Sequence, residues 1–220
     1  GSSFEGSHFK QEGFHISFEV QGITCDIPTI GRHNMENALA CMAVASLLQI
    51  NVPQCVQALS HYEGIYRRHQ LLGIKNSITL IDDYAHNPAK IAASIKACQP
   101  AGTPLVAWFQ PHGYGPTRFI RKELVSEITE SLRPQDQIWM SEIYYAGGTA
   151  VKDISAEDII NDLQQHKVQA HFVADRTALF QKLIPQLQAG TVLLLMGARD
   201  PGLEKFSKTV YEMLSSLSDT

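Results

Sequence analysis

The chain has 220 residues, of which 44% are hydrophobic and 18% are charged, so it can bury one full domain and part of another. Its formal net charge of -4 argues against a nucleic-acid-binding surface. The four cysteines are dispersed, which predicts a reducing cytoplasmic compartment with neither disulfides nor a zinc knuckle. No apolar run approaches the ~20 residues that span a bilayer, so no membrane contact is predicted.

The first third of the chain predicts a small sheet followed by two helices. The predicted elements are a strand over 14–20, a short strand through Cys25 and Ile27, a helix over 34–48 and a shorter helix from Pro53 towards Gly64. Alternation of apolar and polar residues indicates the first strand, and a nearly continuous series of small and apolar residues indicates a well-buried first helix. Residues 64–68 are predicted to form a linker.

After Arg68 the pattern changes to apolar strands that alternate with amphipathic helices. Predicted strands cover 78–82, 105–110, 137–141, 170–174 and 192–196, and predicted helices cover 89–98, 118–132, 156–166, 177–187 and 203–217. Strands that are apolar on both faces are typical of a parallel sheet covered by helices on each side. The fold class is therefore α/β, with a mostly parallel, doubly wound, Rossmann-like sheet whose ligands meet the carboxyl ends of the strands.

Several short segments place polar residues where an apolar run ends. They are residues 31–37 (Gly-Arg-His-Asn-Met-Glu-Asn), 81–88 (Ile-Asp-Asp-Tyr-Ala-His-Asn-Pro), 109–114 (Phe-Gln-Pro-His-Gly-Tyr) and 197–202 (Gly-Ala-Arg-Asp-Pro-Gly). Asn34 and Asn37 lie one helical turn apart, so both amides can face one ligand, and an amide suits the edge of a purine. The bare spacing equally allows Asn34 to cap its helix, and Asp82 or Asp83 to be a cap or turn residue.

In order and spacing these segments resemble the motifs of the Mur ligase family, ATP-dependent enzymes that add amino acids to the peptidoglycan precursor. Residues 31–37 are similar to G-x-H-N-x-x-N, 63–69 to F-x-G-x-x-R-R-F, 81–88 to D-D-Y-x-H-H-P and 109–117 to F-Q-P-H-R-Y-S-R-T. The Q-P-H sequence of the last segment points to the branch that joins L-alanine to UDP-N-acetylmuramate. The resemblance covers nearly the entire chain.

The resemblance also implies roles for individual residues. Nucleotide binding is implied for His33, Asn34, Asn37, Arg68 and Asp83. Catalytic roles are implied for Arg68, in preference to Arg67, and for His86. Substrate binding is implied for Tyr84, His86, His112, Tyr114 and Arg118. No metal ligand is implied.

The chain departs from the family motifs at several positions. Asn87 stands where a second histidine is usual, and Gly113 and Pro116 replace two arginines expected near the substrate carboxylate. Three outcomes stay open: Arg118 or Arg199 supplies the missing charge, the substrate differs, or activity is lost. Arg199 itself replaces the middle glycine of a G-A-G-D/N turn.

The implied reaction is ligation through an acyl phosphate, with ATP and Mg²⁺ as cofactors and UDP-N-acetylmuramate and L-alanine as substrates. The chain contains no G-x-x-x-x-G-K-[ST] phosphate loop. It is therefore expected to comprise the tail of the central ATP-binding domain (1–64) and the C-terminal domain (65–220), to be inactive alone, and to partner the missing N-terminal and central domains of the same protein.

Three alternatives remain. A murein-recycling ligase would attach a tripeptide to the same nucleotide sugar, and a non-catalytic homologue would only bind a nucleotide or a protein. A dinucleotide-dependent oxidoreductase ranks lower because no G-x-G-x-x-G follows the first strand of the α/β region.

Overall fold

The computed structural model describes residues 4–216 and divides the chain into two compact units, the first ending at Tyr66 and the second beginning at Arg67. Their assignment to a central and a C-terminal domain, with a boundary after residue 64, stays a prediction. Among the described helices, none combines the length and apolar character needed to cross a membrane.

The first unit is a three-stranded antiparallel sheet with two helices. Its elements are β1 (Gly6–Glu12), β2 (His15–Val20), β3 (Ile23–Ile27), α1 (Arg32–Leu47) and α2 (Val52–Leu59), with β2 central in the sheet. Ile16, Phe18 and Val20 are buried along β2, which confirms the alternation in the sequence. The sequence did not predict β1, because most of its side chains are exposed and give no alternating pattern.

The two helices of this unit begin in different ways. Gly31, with a φ of 88°, is the N-cap of α1, which starts two residues earlier than predicted. Asn51 begins α2 through a reciprocal capping box with Gln54, and Pro53 lies in the first turn, where its missing N–H costs little. The apolar core joins α1 and α2 to β2 and β3.

The second unit has an α/β fold with a mostly parallel sheet, as predicted, and the sheet has six strands, of which the sequence predicted five. Its elements are β4 (Gln70–Lys75), β5 (Ile78–Asp83), α3 (Pro88–Cys98), β6 (Leu105–Gln110), α4 (Tyr114–Ser131), β7 (Gln137–Ser141), α5 (Ala156–Gln165), β8 (Gln169–Val173), α6 (Arg176–Lys182), β9 (Val192–Gly197) and α7 (Leu203–Ser216). The strand order is β4-β5-β9-β6-β7-β8, with β4 antiparallel to β5 and the other pairs parallel.

Helices cover both faces of this sheet, which accounts for the apolar runs in β6 and β9. On one face, Trp108 and Leu195 pack with α6 and α7, and the Trp108 and Phe206 rings lie 4.6 Å apart. Alternate strand residues point to the opposite face, where Ile91 of α3 and Leu124 of α4 are fully buried. The core thus holds the carboxyl ends of the central strands in a fixed register.

Several predicted element boundaries differ from the structure, and one of them is the end of α2, which lies at Leu59 and not near Gly64. Helix α4 begins at Tyr114, one turn before the predicted start, because Pro116 is tolerated in a first turn. The helix predicted over 177–187 is α6 followed by a separate 3₁₀ turn at Ile184–Gln186 that contains a proline. The predicted end of the last helix, Leu217, lies outside the described residues.

Candidate functional site

The candidate site lies at the carboxyl ends of three adjacent strands. β9 is inserted between β5 and β6, so that Asp83 pairs with Met196 and Gln110 pairs with Gly197. The connections that leave β5 and β9 lead to helices on opposite faces of the sheet, which opens a crevice at this edge. The structure thus brings together the segments after residues 83, 110 and 197, as the sequence predicted.

A buried ion pair fixes the frame of this edge. The Arg67 Nε donates to both carboxylate oxygens of Asp82, at 3.1 and 3.3 Å, and its Nη2 donates to the Gly197 carbonyl at 3.0 Å. The Ser207 hydroxyl donates to the same carboxylate. Burial raises the pKa of Asp82, and the hydrogen bonds from Arg67 and Ser207 oppose that rise. Arg67 therefore joins β5 to β9 and has a structural role.

Asp83 is enclosed by groups of the protein. Its Oδ2 accepts from the Ser94 hydroxyl at 2.6 Å and lies 3.0 Å from the His69 Nε2, and its Oδ1 accepts from the Ala85 N–H at 2.9 Å. The carboxylate is only 3% exposed. Nucleotide binding by Asp83 stays a prediction, and in this conformation the carboxylate anchors the turn after β5.

Arg68, Tyr84 and His86 form the open side of that turn. Arg68 is exposed and its guanidinium lies 5.7 Å from the centre of the Tyr84 ring, a cation–π distance. The His86 Nδ1 lies 2.9 Å from the Tyr84 carbonyl oxygen. Because a carbonyl only accepts, Nδ1 carries the proton, and the Nε2 of the neutral ring is the nitrogen able to accept one.

His112 joins the cluster from the neighbouring motif. Its ring centre lies 5.9 Å from that of His86. Burial, the neighbouring His86 and the Arg199 guanidinium lower the pKa of His112 below its ordinary value of 6.5. His112 is therefore neutral at pH 7. The segment is held in place because Tyr144 exchanges backbone hydrogen bonds with Pro111 and Gly113.

Tyr114 and Arg118 lie further along the same segment, at the start of α4. The Tyr114 ring packs edge-on against Tyr145 at 5.3 Å, and the Lys152 ammonium lies 5.8 Å from its centre. Tyr114 and Lys152 line a cavity of about 480 Å³ together with Glu142, with residues 153–155 before α5 and with Asp158 of α5. Arg118 forms an ion pair with Asp153, so its charge is already compensated. Substrate binding by Tyr114 and Arg118 stays a prediction.

The asparagine motif belongs to the first unit. The Asn34 Nδ2 donates to the Thr29 hydroxyl at 2.9 Å and to the Ile30 carbonyl at 2.8 Å, and the Asn37 Nδ2 donates to the Asn34 Oδ1 at 3.4 Å. The alternative in which Asn34 caps α1 is wrong, because Gly31 occupies that position. The two amides do lie together as predicted, and the nucleotide roles of His33, Asn34 and Asn37 stay predictions.

Sequence reasoning missed three contributions to the site. Asn87, noted only as a departure from a motif, caps α3 by accepting from the Lys90 N–H, so its amide stabilises the helix behind His86. Ser94 approaches Asp83 from within α3, and Lys152 approaches Tyr114 from a distant loop. Neither contact has a local sequence signal, since each joins residues far apart in the chain.

Comparison with known proteins gives consistent matches. A family model described as "Mur ligase, glutamate ligase domain" matches residues 67–199. A UDP-N-acetylmuramate–L-alanine ligase of Geobacter sulfurreducens is 34% identical over 208 residues, which are 90% of this chain and 44% of that protein.

Solved structures show the same fold. The UDP-N-acetylmuramate–alanine ligase of Thermotoga maritima has a TM-score of 0.78 at 22% identity, covering 97% of this chain and 46% of that one. A MurF ligase of Thermotoga maritima in complex with ADP has a TM-score of 0.68 at 15% identity, covering 96% of this chain and 48% of that one. The chain spans less than half the length of each of these relatives.

Proposed function

Because this chain belongs to the Mur ligase family, we propose that it is part of an ATP-dependent ligase that joins L-alanine to UDP-N-acetylmuramate. The observation that carries the proposal is the meeting of three family-like motifs at one sheet edge, after β5, β6 and β9. The identity to L-alanine ligases along 90% of the chain supports the choice of amino acid.

The residues at this edge suit chemistry on an activated carboxylate. ATP would convert the carboxylate into an acyl phosphate, which supplies the leaving group that a free carboxylate lacks. Arg68 is exposed and permanently charged, so it can stabilise negative charge on a phosphoryl group. The His86 Nε2 can accept the proton that the amine loses when it attacks. These roles are part of the proposal.

The side chains at this edge suit the phosphate groups of ATP better than they suit a metal ion. Arg68 and Arg199 offer positive charge to phosphate groups, whereas the carboxylates of Asp82 and Asp83 are buried and hydrogen-bonded to the protein. No group of three or more His, Cys, Asp or Glu residues that could hold a metal occurs within residues 4–216. We propose that the rest of the longer protein supplies protein ligands for Mg²⁺.

Exposed apolar side chains at the carboxyl end of α1 favour a contact with another part of that longer protein. Leu47 is 82% exposed and Leu48 is 70% exposed, and Val44 and Ile50 add to the same surface at the carboxyl end of α1. Exposed apolar patches of this kind mark interaction sites. We propose that the remaining part of a central ATP-binding domain covers this surface, and that the chain alone is inactive.

The test is phosphate release by the longer parent protein with ATP, Mg²⁺ and UDP-N-acetylmuramate. L-alanine is compared with L-Ala-D-Glu-diaminopimelate as the amine. Release that depends on L-alanine supports the proposal, and release that depends only on the tripeptide assigns the protein to the recycling branch. No release with either amine contradicts a ligase function and favours a binding homologue.

A matched pair of variants shows whether the release arises at this site. His86→Gln keeps a hydrogen-bonding side chain but removes the basic nitrogen, and a loss of 100-fold or more, on the order expected for a general base, supports its role. Lys90→Gln changes an exposed residue of the following helix and is expected to keep the parent rate. Equal rates in both variants would exclude His86 as the base.

A further inference from the structure

Arg199 and His112 are brought together by the register of the sheet. Gln110 of β6 pairs with Gly197 of β9, and His112 and Arg199 each follow two residues after that pair. His86 lies beside His112, with ring centres 5.9 Å apart. One arginine and two imidazoles therefore meet at the crevice between the three strand ends.

The turn that carries Arg199 is rigid on both sides. Ala198 is 2% exposed and Asp200 is 6% exposed, whereas Arg199 between them is exposed. The Asp200 carboxylate lies 2.7 Å from the Arg176 Nη1 and accepts from the Gly202 N–H at 2.7 Å. These contacts hold Arg199 in a left-handed conformation with a φ of 65°, which is unfavourable for a side chain with a Cβ. A strained, exposed arginine on a fixed turn is typical of a functional position.

Two other arginines near this edge already pair with carboxylates. Arg67 pairs with buried Asp82, and Arg118 pairs with Asp153. Within residues 4–216, no carboxylate forms an ion pair with Arg199. Of the two arginines that could replace the charge lost at positions 113 and 116, Arg199 is thus the one that can meet an external anion.

A side chain at position 113 would be crowded by the Pro116 ring. Gly113 has a φ of 71°, and a Cβ at this position would lie 3.3 Å from the Pro116 ring. Compared with the family motifs, glycine and arginine are exchanged between two left-handed positions, Gly113 and Arg199. The exchange retains one guanidinium beside His112 and moves it from the β6 segment to the β9 segment.

We infer that Arg199, together with His112, forms a subsite beside His86 that binds an oxyanion group of the substrate, either its carboxylate or a phosphoryl group. The guanidinium supplies charge and two parallel donors, and the ring N–H of His112 can supply a further hydrogen bond. The identity of the ligand rests on the proposed ligase function. Binding of a simple oxyanion to the chain does not depend on that function.

The test is an NMR titration of the 220-residue chain with inorganic phosphate and, separately, with acetate, following the ring signals of His112 and His86. Binding is expected to raise the pKa of His112, because an anion stabilises the protonated ring. Arg199→Gly is expected to weaken binding about tenfold or more, as for loss of a charged hydrogen bond. Preference for phosphate assigns the phosphoryl group, and preference for acetate assigns the carboxylate.

Two further variants keep the result interpretable. Lys205→Ala removes one positive charge from an exposed position of α7 and is expected to leave binding unchanged. Arg118→Ala tests the competing arginine directly. Equal affinity of the parent chain and Arg199→Gly, or loss of binding in Arg118→Ala alone, would overturn the inference, and so would the absence of any anion-dependent shift. An inactive parent ligase would leave these measurements intact.

Discussion

Two neighbouring arginines show how differently one residue type can act. Arg67 is 8% exposed, has a φ of 52° and reaches Asp82 and the Gly197 carbonyl, whereas Arg68 is exposed beside the Tyr84 ring. The sequence predicted both arginines at an exposed linker, and the family resemblance favoured Arg68 for the catalytic role, but nothing indicated that Arg67 faces inward. That choice depends on Asp82 and Gly197, which come later in the chain.

Replacing Arg67 is expected to destabilise the chain strongly. Arg67→Ala leaves the Asp82 carboxylate buried without its partner, a change that costs about 3–5 kcal/mol of unfolding free energy. Urea denaturation at pH 7 measures the loss, and Arg68→Ala, in an exposed position, should stay within about 0.5 kcal/mol of the parent. Arg67→Ala combined with Asp82→Asn should recover part of the loss. Similar midpoints for the two single variants would refute the structural role of Arg67.

At the scale of elements, the Asp136 carboxylate joins several of them at the amino ends of the parallel strands, the ends opposite the candidate site. Asp136 precedes β7 and accepts hydrogen bonds from the Leu105 N–H at 2.8 Å, from the Gln99 side chain at 2.9 Å and from Arg133. It thus connects the start of β6 with the ends of α3 and α4. Burial alone would raise the pKa of Asp136, but the hydrogen bonds outweigh it, and the pKa lies below its ordinary value of 3.8.

This lowered pKa predicts a specific dependence of stability on pH. The folded state holds Asp136 ionised more strongly than the unfolded state does, so its contribution is complete above pH 3.8 and is lost as the pH falls through the folded pKa. Asp136→Asn should lose about 1.5–3 kcal/mol at pH 7 and should show a shallower decline below pH 3.8.

Unfolding free energies measured at a series of pH values test this expectation. Glu123→Gln, in an exposed position of α4, is the matched neutralisation and should follow the parent curve. An Asp136→Asn curve parallel to that of the parent chain would show that Asp136 does not contribute to the acid dependence.

The sequence predicted five of the six strands of the second unit well, because each of them carries an apolar run. β5, β6, β7, β8 and β9 all appear within one or two residues of their predicted bounds. The antiparallel edge strand β4 was not predicted: Leu71 and Ile74 are exposed, and Gly73 interrupts the strand where the Tyr211 ring approaches its backbone. No residue of β4 is buried, so this strand lacks the buried apolar positions of the other strands, including the second edge strand, β8.

At the scale of the whole molecule, each unit has its own apolar core. One core joins β2 and β3 to α1 and α2, and the other joins the central strands to α6 and α7. The motifs are divided between the units: Asn34 and Asn37 lie in the first, and Arg68, His86 and His112 lie in the second. The change of pattern after Arg68 is the sequence feature behind the predicted domain boundary after residue 64, and that boundary stays a prediction.

Separate cores predict that the second unit folds by itself. A chain of residues 67–220 should show cooperative thermal unfolding by circular dichroism, because its sheet is covered on both faces by its own helices. It should also retain the buried Trp108 signal in the near ultraviolet. A non-cooperative melt, or loss of that signal with helix content retained, would contradict independent folding.

The position of β9 also determines the order in which the molecule can be assembled. β5 and β6 are synthesised before β9 and do not pair with each other. The central part of the sheet is complete only when residues 192–197 insert between them. Until then each has an open edge, the state most prone to pairing with other chains. The crevice can therefore form only after β9 has left the ribosome. A chain whose translation stops before residue 192 is expected to expose unpaired strand edges that aggregate, and to lack the candidate site.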